Sequence, residues 1–67
     1  MLEHHPSVAS LLNFFAFAHL PEHLQEISRP FGELADAVAA RAPKSPETTV
    51  ALRKLLEAKD CAVRAAL

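Results

Sequence analysis

Pro43 and Pro46, with Lys44 and Ser45 between them, constrain this chain more than any other feature. A helix arriving at Pro43 has to stop, because proline has no N–H to donate and its ring clashes with the preceding turn. Ser45 is a favoured helix N-cap, and Pro46 is pre-set for the first helical position, where the missing N–H costs nothing. The run from Arg41 to Pro46 therefore predicts a sharp corner between two antiparallel helices. Beyond it, Leu52, Leu55, Leu56, Ala62, Val63 and Ala66 fall on one side of a helical repeat, and Arg53, Lys54, Glu57, Asp60 and Arg64 on the other. Asp60 with Arg64 and Arg53 with Glu57 are spaced for helical ion pairs, worth only a few tenths of a kcal/mol each.

The helix that enters the corner is predicted from Pro21 towards Ala42, burying Leu24, Ile27, Phe31, Leu34, Ala35 and Val38. Pro30 lies inside it and predicts either a kink near Ile27 or two helices end to end. Gly32, the single glycine, would let a neighbouring helix approach closely. Alanines 35, 37, 39, 40 and 42 suit tight packing within a hairpin. Glu33 and Asp36 lie on the solvent side, near the turn that holds Arg29.

Ahead of the hairpin, residues 1–20 read as an irregular arm followed by a short helix from Val8 to about Ala18, capped by Ser7 or Ser10. Val8, Leu11, Leu12, Phe15 and Ala18 share one side, while Phe14 and Phe17 lie towards another. Three phenylalanines within four positions exceed one stripe, so at least one faces a second copy, a ligand or solvent. Core packing and a base-stacking platform are both open to them. His4 and His5 are adjacent on an irregular arm and do not converge on a metal ion without further ligands. Pro21 sets a helix boundary between His19 and His23, which removes them as an i, i+4 ligand pair. His19 is expected to hydrogen-bond at that boundary.

At 67 residues the chain is a single all-α domain, with residues 21–67 forming the hairpin. A domain this small buries only about 60% of the surface its unfolded chain exposes. With 51% hydrophobic residues and neither a disulfide framework nor a metal motif, self-association is the easiest way to cover the remainder, so a homo-oligomer is expected. The net charge of −1 lacks the basic footprint that duplex DNA requires. The apolar run from Val8 to Leu20 is too short to span a bilayer and has neither a basic leader nor a cleavage site, which points to a soluble intracellular protein. Cys61, alone within the final helix, is expected as a small buried hydrophobe or inert thiol.

No triad spacing, phosphate-binding glycine loop or zinc pattern is present in the sequence, so neither catalysis nor a cofactor is expected. The corner is the better candidate. Arg41 and Lys44 precede a helix N-terminus whose free N–H groups, with the hydroxyls of Ser45, Thr48 and Thr49, would form an anion site if several copies gathered their corners. Ordinary capping beside a basic loop accounts for the same residues. Glu47 opposes an anion, although it can accept a hydrogen bond from a base or ribose.

The run from Ser45 to Ala62 resembles the C-terminal helix of the bacteriophage anti-CBASS cyclic-nucleotide sponges, whose hairpin is shared with the anti-Thoeris sponges. The likeness rests on Ala51, Leu52, Lys54, Leu55, Glu57, Ala58 and Ala62, preceded by the turn and by Leu34-Ala35, and covers roughly the C-terminal half. It implies a small, all-helical homo-oligomer, commonly a hexamer built as a trimer of dimers. Such a protein acts in the host cytoplasm and sequesters cyclic oligonucleotide messengers without cleaving them. It also implies that Ser45, Glu47, Thr48 and Thr49 line a site for cyclic trinucleotides, to which Arg41 and Lys44 are added on electrostatic grounds. Phe17, His19 and Arg29 are the candidates for the groove in which the family holds cyclic dinucleotides. The chain departs from the family pattern at Pro46, where an arginine is usual, at Asp60-Cys61, where an apolar residue and Trp are frequent, and in lacking an N-terminal tyrosine. The alternative is a helical protein-interaction module with no nucleotide ligand, anchored by Phe14 or Phe17.

Overall fold

A computed structural model describes residues 6–67, with side chains described from Val8 onward; the His4-His5 arm lies outside the described residues. Three helices make up the fold: α1 (Pro6–Asn13), α2 (Glu22–Arg41) and α3 (Pro46–Ala65). α2 and α3 form the antiparallel hairpin, and α1 packs across it. No helix among the described residues is long and apolar enough to cross a membrane.

The start of α3 follows from its residues. Ser45 sits in extended backbone, its Oγ accepts the Glu47 N–H at 3.0 Å, and Pro46 opens the helix. α2 starts at Glu22, one residue after Pro21, whose carbonyl accepts the Leu24 and Gln25 N–H groups at 2.9 and 3.0 Å. It runs unbroken through Pro30, so the end-to-end break is not there. Pro30 and Glu26 are both exposed, so the backbone bond lost to the proline lies on the solvent side of α2.

α1 is shorter than its apolar pattern suggests. It begins at Pro6, so Ser7 and Ser10 lie within it, and it ends at Asn13 instead of Ala18. Phe14, Phe15 and Ala16 donate to carbonyls three residues back, at 3.0, 3.1 and 3.3 Å, which tightens and then unwinds the helix. Packing is the reason: only by leaving the helix can Phe15 enter the core and Phe17 reach α2 while Phe14 turns outward.

Val8, Phe15, Ala35 and Leu52 form the core cluster, with Phe31, Val38, Leu55 and Leu56 packed partly against it. Leu34 departs from the predicted buried stripe and is 52% exposed. Cys61 is also exposed, contrary to expectation, and its Sγ accepts from Arg64 Nη2 at 3.4 Å. Asp60 pairs with its neighbour Lys59 at 2.9 Å instead of with Arg64, and the Arg53–Glu57 pair is not formed. Gly32 admits the loop after α1 and not another helix; a β-carbon there would stand 3.4 Å from the Phe15 carbonyl oxygen.

Ser28 is wholly buried on α2, and its Oγ has no hydrogen-bond partner among the described residues. An unpaired buried hydroxyl costs about 1–3 kcal/mol. Ser28→Ala should therefore raise stability by roughly 1 kcal/mol or more, while Leu52→Ala should lower it by about 2–5 kcal/mol through the cavity it leaves. Urea denaturation followed by circular dichroism reads both.

Candidate ligand site at the hairpin corner

The corner is closed by its own residues. Thr48 Oγ1 donates to the Pro43 carbonyl at 2.6 Å, across the reversal, while Ser45 Oγ holds the Glu47 N–H. The Thr48 and Thr49 N–H groups both point to the Ser45 carbonyl, at 3.1 and 3.4 Å. Since Pro46 has no N–H, every donor in the first turn of α3 is taken, and the free N–H groups expected there are not available in the single chain. An anion at this corner has to be met by side chains.

Those side chains are well placed to do so. Arg41, Lys44, Ser45 and Glu47 are exposed, and Thr48 and Thr49 half-buried beside them. Ser45 Oγ keeps its own proton to donate, and Thr48 Oγ1, having donated, keeps lone pairs that accept. The corner thus presents two exposed cations for phosphate, a hydroxyl donor and a hydroxyl acceptor for polar edges, and the Glu47 carboxylate as a second acceptor.

The other predicted group is brought together in part. Residues 14–20 form a strap between α1 and α2. Lys59 of α3 donates from Nζ to the Phe14 carbonyl at 3.0 Å, and Gln25 of α2 donates to the Leu20 and Ala18 carbonyls at 2.8 and 3.3 Å. Phe17 lies under the Arg29 guanidinium, 5.3 Å from charge to ring centre, a cation–π distance. His19 is exposed on the strap and makes no hydrogen bond to a described residue, against the boundary role expected of it. Beside Phe17 a shallow groove of about 320 Å³ runs between the strap and Gly32, with Glu33 and Asp36 on its wall.

Charge separates the two candidates. The groove carries two carboxylates, Glu33 and Asp36, against the single Arg29, whose guanidinium already covers one face of the aromatic ring. The corner carries two cations against the single Glu47. Arg29 and Arg41 are separated by twelve residues of one helix, about 18 Å, so these are distinct places and not halves of one site. Among the described residues, no group of three His, Cys, Asp or Glu side chains is arranged to hold a metal.

Gln25 and Lys59 were not legible as strap-holding residues. Each reads in the sequence as an ordinary polar helix position, and the Lys59 contact joins residues 45 apart. In comparisons with protein-family models, curated proteins and solved structures, nothing matches this chain.

The Lys59 side chain is only 12% exposed and gives the strap a charge-assisted hydrogen bond. Lys59→Met, which keeps the stem and removes the donor, should cost about 1.5–3 kcal/mol. Amide exchange at Phe15–Phe17 should speed up with it; unchanged stability and exchange would show that the strap is held by apolar packing alone.

Proposed function

We propose that this chain is a non-catalytic binder of cyclic oligonucleotide messengers, acting in the host cytoplasm as an anti-defence sponge in a homo-oligomer. The observation that carries the reading is the corner: Arg41 and Lys44 stand exposed beside the Ser45, Thr48 and Thr49 hydroxyls, on a turn whose shape is fixed by its own hydrogen bonds. The resemblance of the Ser45–Ala62 run to the anti-CBASS sponges supports the same ligand class.

The chemistry fits a ring of phosphodiesters. Each linkage carries one negative charge, which Lys44 and Arg41 can face without help from the occupied backbone donors, and base edges supply partners for Thr48 Oγ1 and Glu47. A rigid corner loses little conformational freedom on binding, which favours affinity. Sequestration needs no turnover, because a nanomolar complex, about 12 kcal/mol, drains a messenger present at micromolar levels. By charge, cyclic trinucleotides at the corner are favoured over cyclic dinucleotides at the Phe17, His19 and Arg29 groove.

One observation favours the protein-interaction reading: Phe14 is 62% exposed and is available as an anchor. Thermal melting with a panel of cyclic di- and trinucleotides separates the two. A sponge melts higher with its ligand, by an increment that grows with ligand concentration, and a docking module does not respond. Combined Lys44→Glu and Thr48→Ala should abolish the ligand-dependent shift while the helical signal is kept. A shift that survives both substitutions would move the site away from the corner.

A further inference from the structure

The hairpin has two long faces, and among the described residues only one of them is covered. The strap lies on the side of α2 that carries Gln25, Gly32 and Asp36: Gln25 bonds it, Gly32 meets Phe15, and Asp36 walls the groove. At about 3.6 residues per turn, Ile27, Phe31, Leu34 and Val38 fall on the opposite flank of α2. Leu34 is exposed there and the other three are only half-buried. Because α3 runs antiparallel, the flank it presents to the same side carries Ala51, Leu55, Ala58 and Ala62, of which Ala51 and Ala58 are exposed. Both rows alternate steps of four and three residues, the spacing of a seam that receives another helix. One helix offers bulk; its neighbour offers room.

We infer that a second copy of this chain seats on this face about a two-fold axis parallel to the helices, with α2 of each copy lying on α3 of the other. Side-chain size selects that axis. It sets Phe31 and Leu34 of one copy over a row of the second in which three of the four residues are alanine. An axis across the helices would stack bulk on bulk and alanine on alanine, leaving one seam overpacked and the other hollow. Charge agrees with size. Arg41 and Glu47 are both exposed on the rim of this face at its corner end. With the parallel axis, Arg41 of one copy meets Glu47 of the other; with the crossed axis both lie opposite the far end of the second hairpin.

This arrangement brings both corners to one end of a four-helix assembly. The second copy's Arg41, with five N–H donors, meets the carboxylate that opposes an anion and keeps donors for a phosphate, and Lys44 from each chain faces a shared space. The inference rests on the homo-oligomeric part of the proposed function and not on its ligand.

Sedimentation velocity on the purified chain tests it. The wild type should sediment as a dimer or a multiple of one. Ala58→Glu, at a position exposed in the single chain, should lose the two-fold contact and at least halve the mass with its helical signal unchanged. Arg41→Glu should weaken the assembly, and adding Glu47→Arg should restore it. In Lys44→Cys with Cys61→Ser, spin labels at residue 44 should lie closer together than the 34 Å length of the molecule. A monomeric wild type, an Ala58→Glu assembly of unchanged mass, or a label distance at or beyond that length would overturn the inference. If the assembly holds and no cyclic nucleotide binds, the ligand reading fails while this one stands; nucleotide binding by a monomer gives the reverse.

Discussion

The Thr48 hydroxyl bond to the Pro43 carbonyl, with the Ser45 cap beside it, fixes how the chain reverses, and the rest of the fold follows from that reversal. Once α3 starts at Pro46 in a set direction, Leu52 meets Ala35 at the centre of the hairpin, and α1 and the strap have one shelf on which to lay Val8 and Phe15. With the Thr48 and Thr49 N–H groups turned to the Ser45 carbonyl, the backbone donors of the corner are taken. A turn that is closed internally carries the exposed side-chain charges and hydroxyls on a fixed backbone.

A small core is the second constraint. Among the described residues, five apolar side chains are truly buried, and the remainder are shared between a partial interior and an open face. A hairpin with so little inside depends on what lies against its two faces. The strap handles one side, held by Lys59 and Gln25 and by the contact of Phe17 with Arg29. The row through Ile27, Leu34 and Val38 remains on the other.

How much of this the residues disclose depends on how local the cause is. The start of α3 and the position of the corner are readable because cap, proline and hydroxyl act within a few residues of one another. The end of α1 is not readable, because it is set by the depth at which Phe15 must sit, a contact made with α2 and α3. Pro30 illustrates a related difficulty: its effect depends on which way the freed Glu26 carbonyl faces, and exposure makes the continuous helix tolerable. The apolar spacing of α2 identifies Leu34 as a residue that wants cover without saying whether the cover comes from the same chain. For the candidate site, the charges and hydroxyls of Arg41 to Thr49 are visible in sequence, whereas the consumption of the N–H donors emerges only from hydrogen-bond geometry.

The proposed function stands or falls on whether the corner holds a cyclic oligonucleotide. Titrating the isotope-labelled protein with a cyclic trinucleotide and following its amide resonances tests this most directly. The account predicts saturable shifts concentrated from Arg41 to Thr49, with little change around Phe17 and Arg29. Shifts confined to the strap and groove, or no saturable shifts with any cyclic nucleotide, would contradict it.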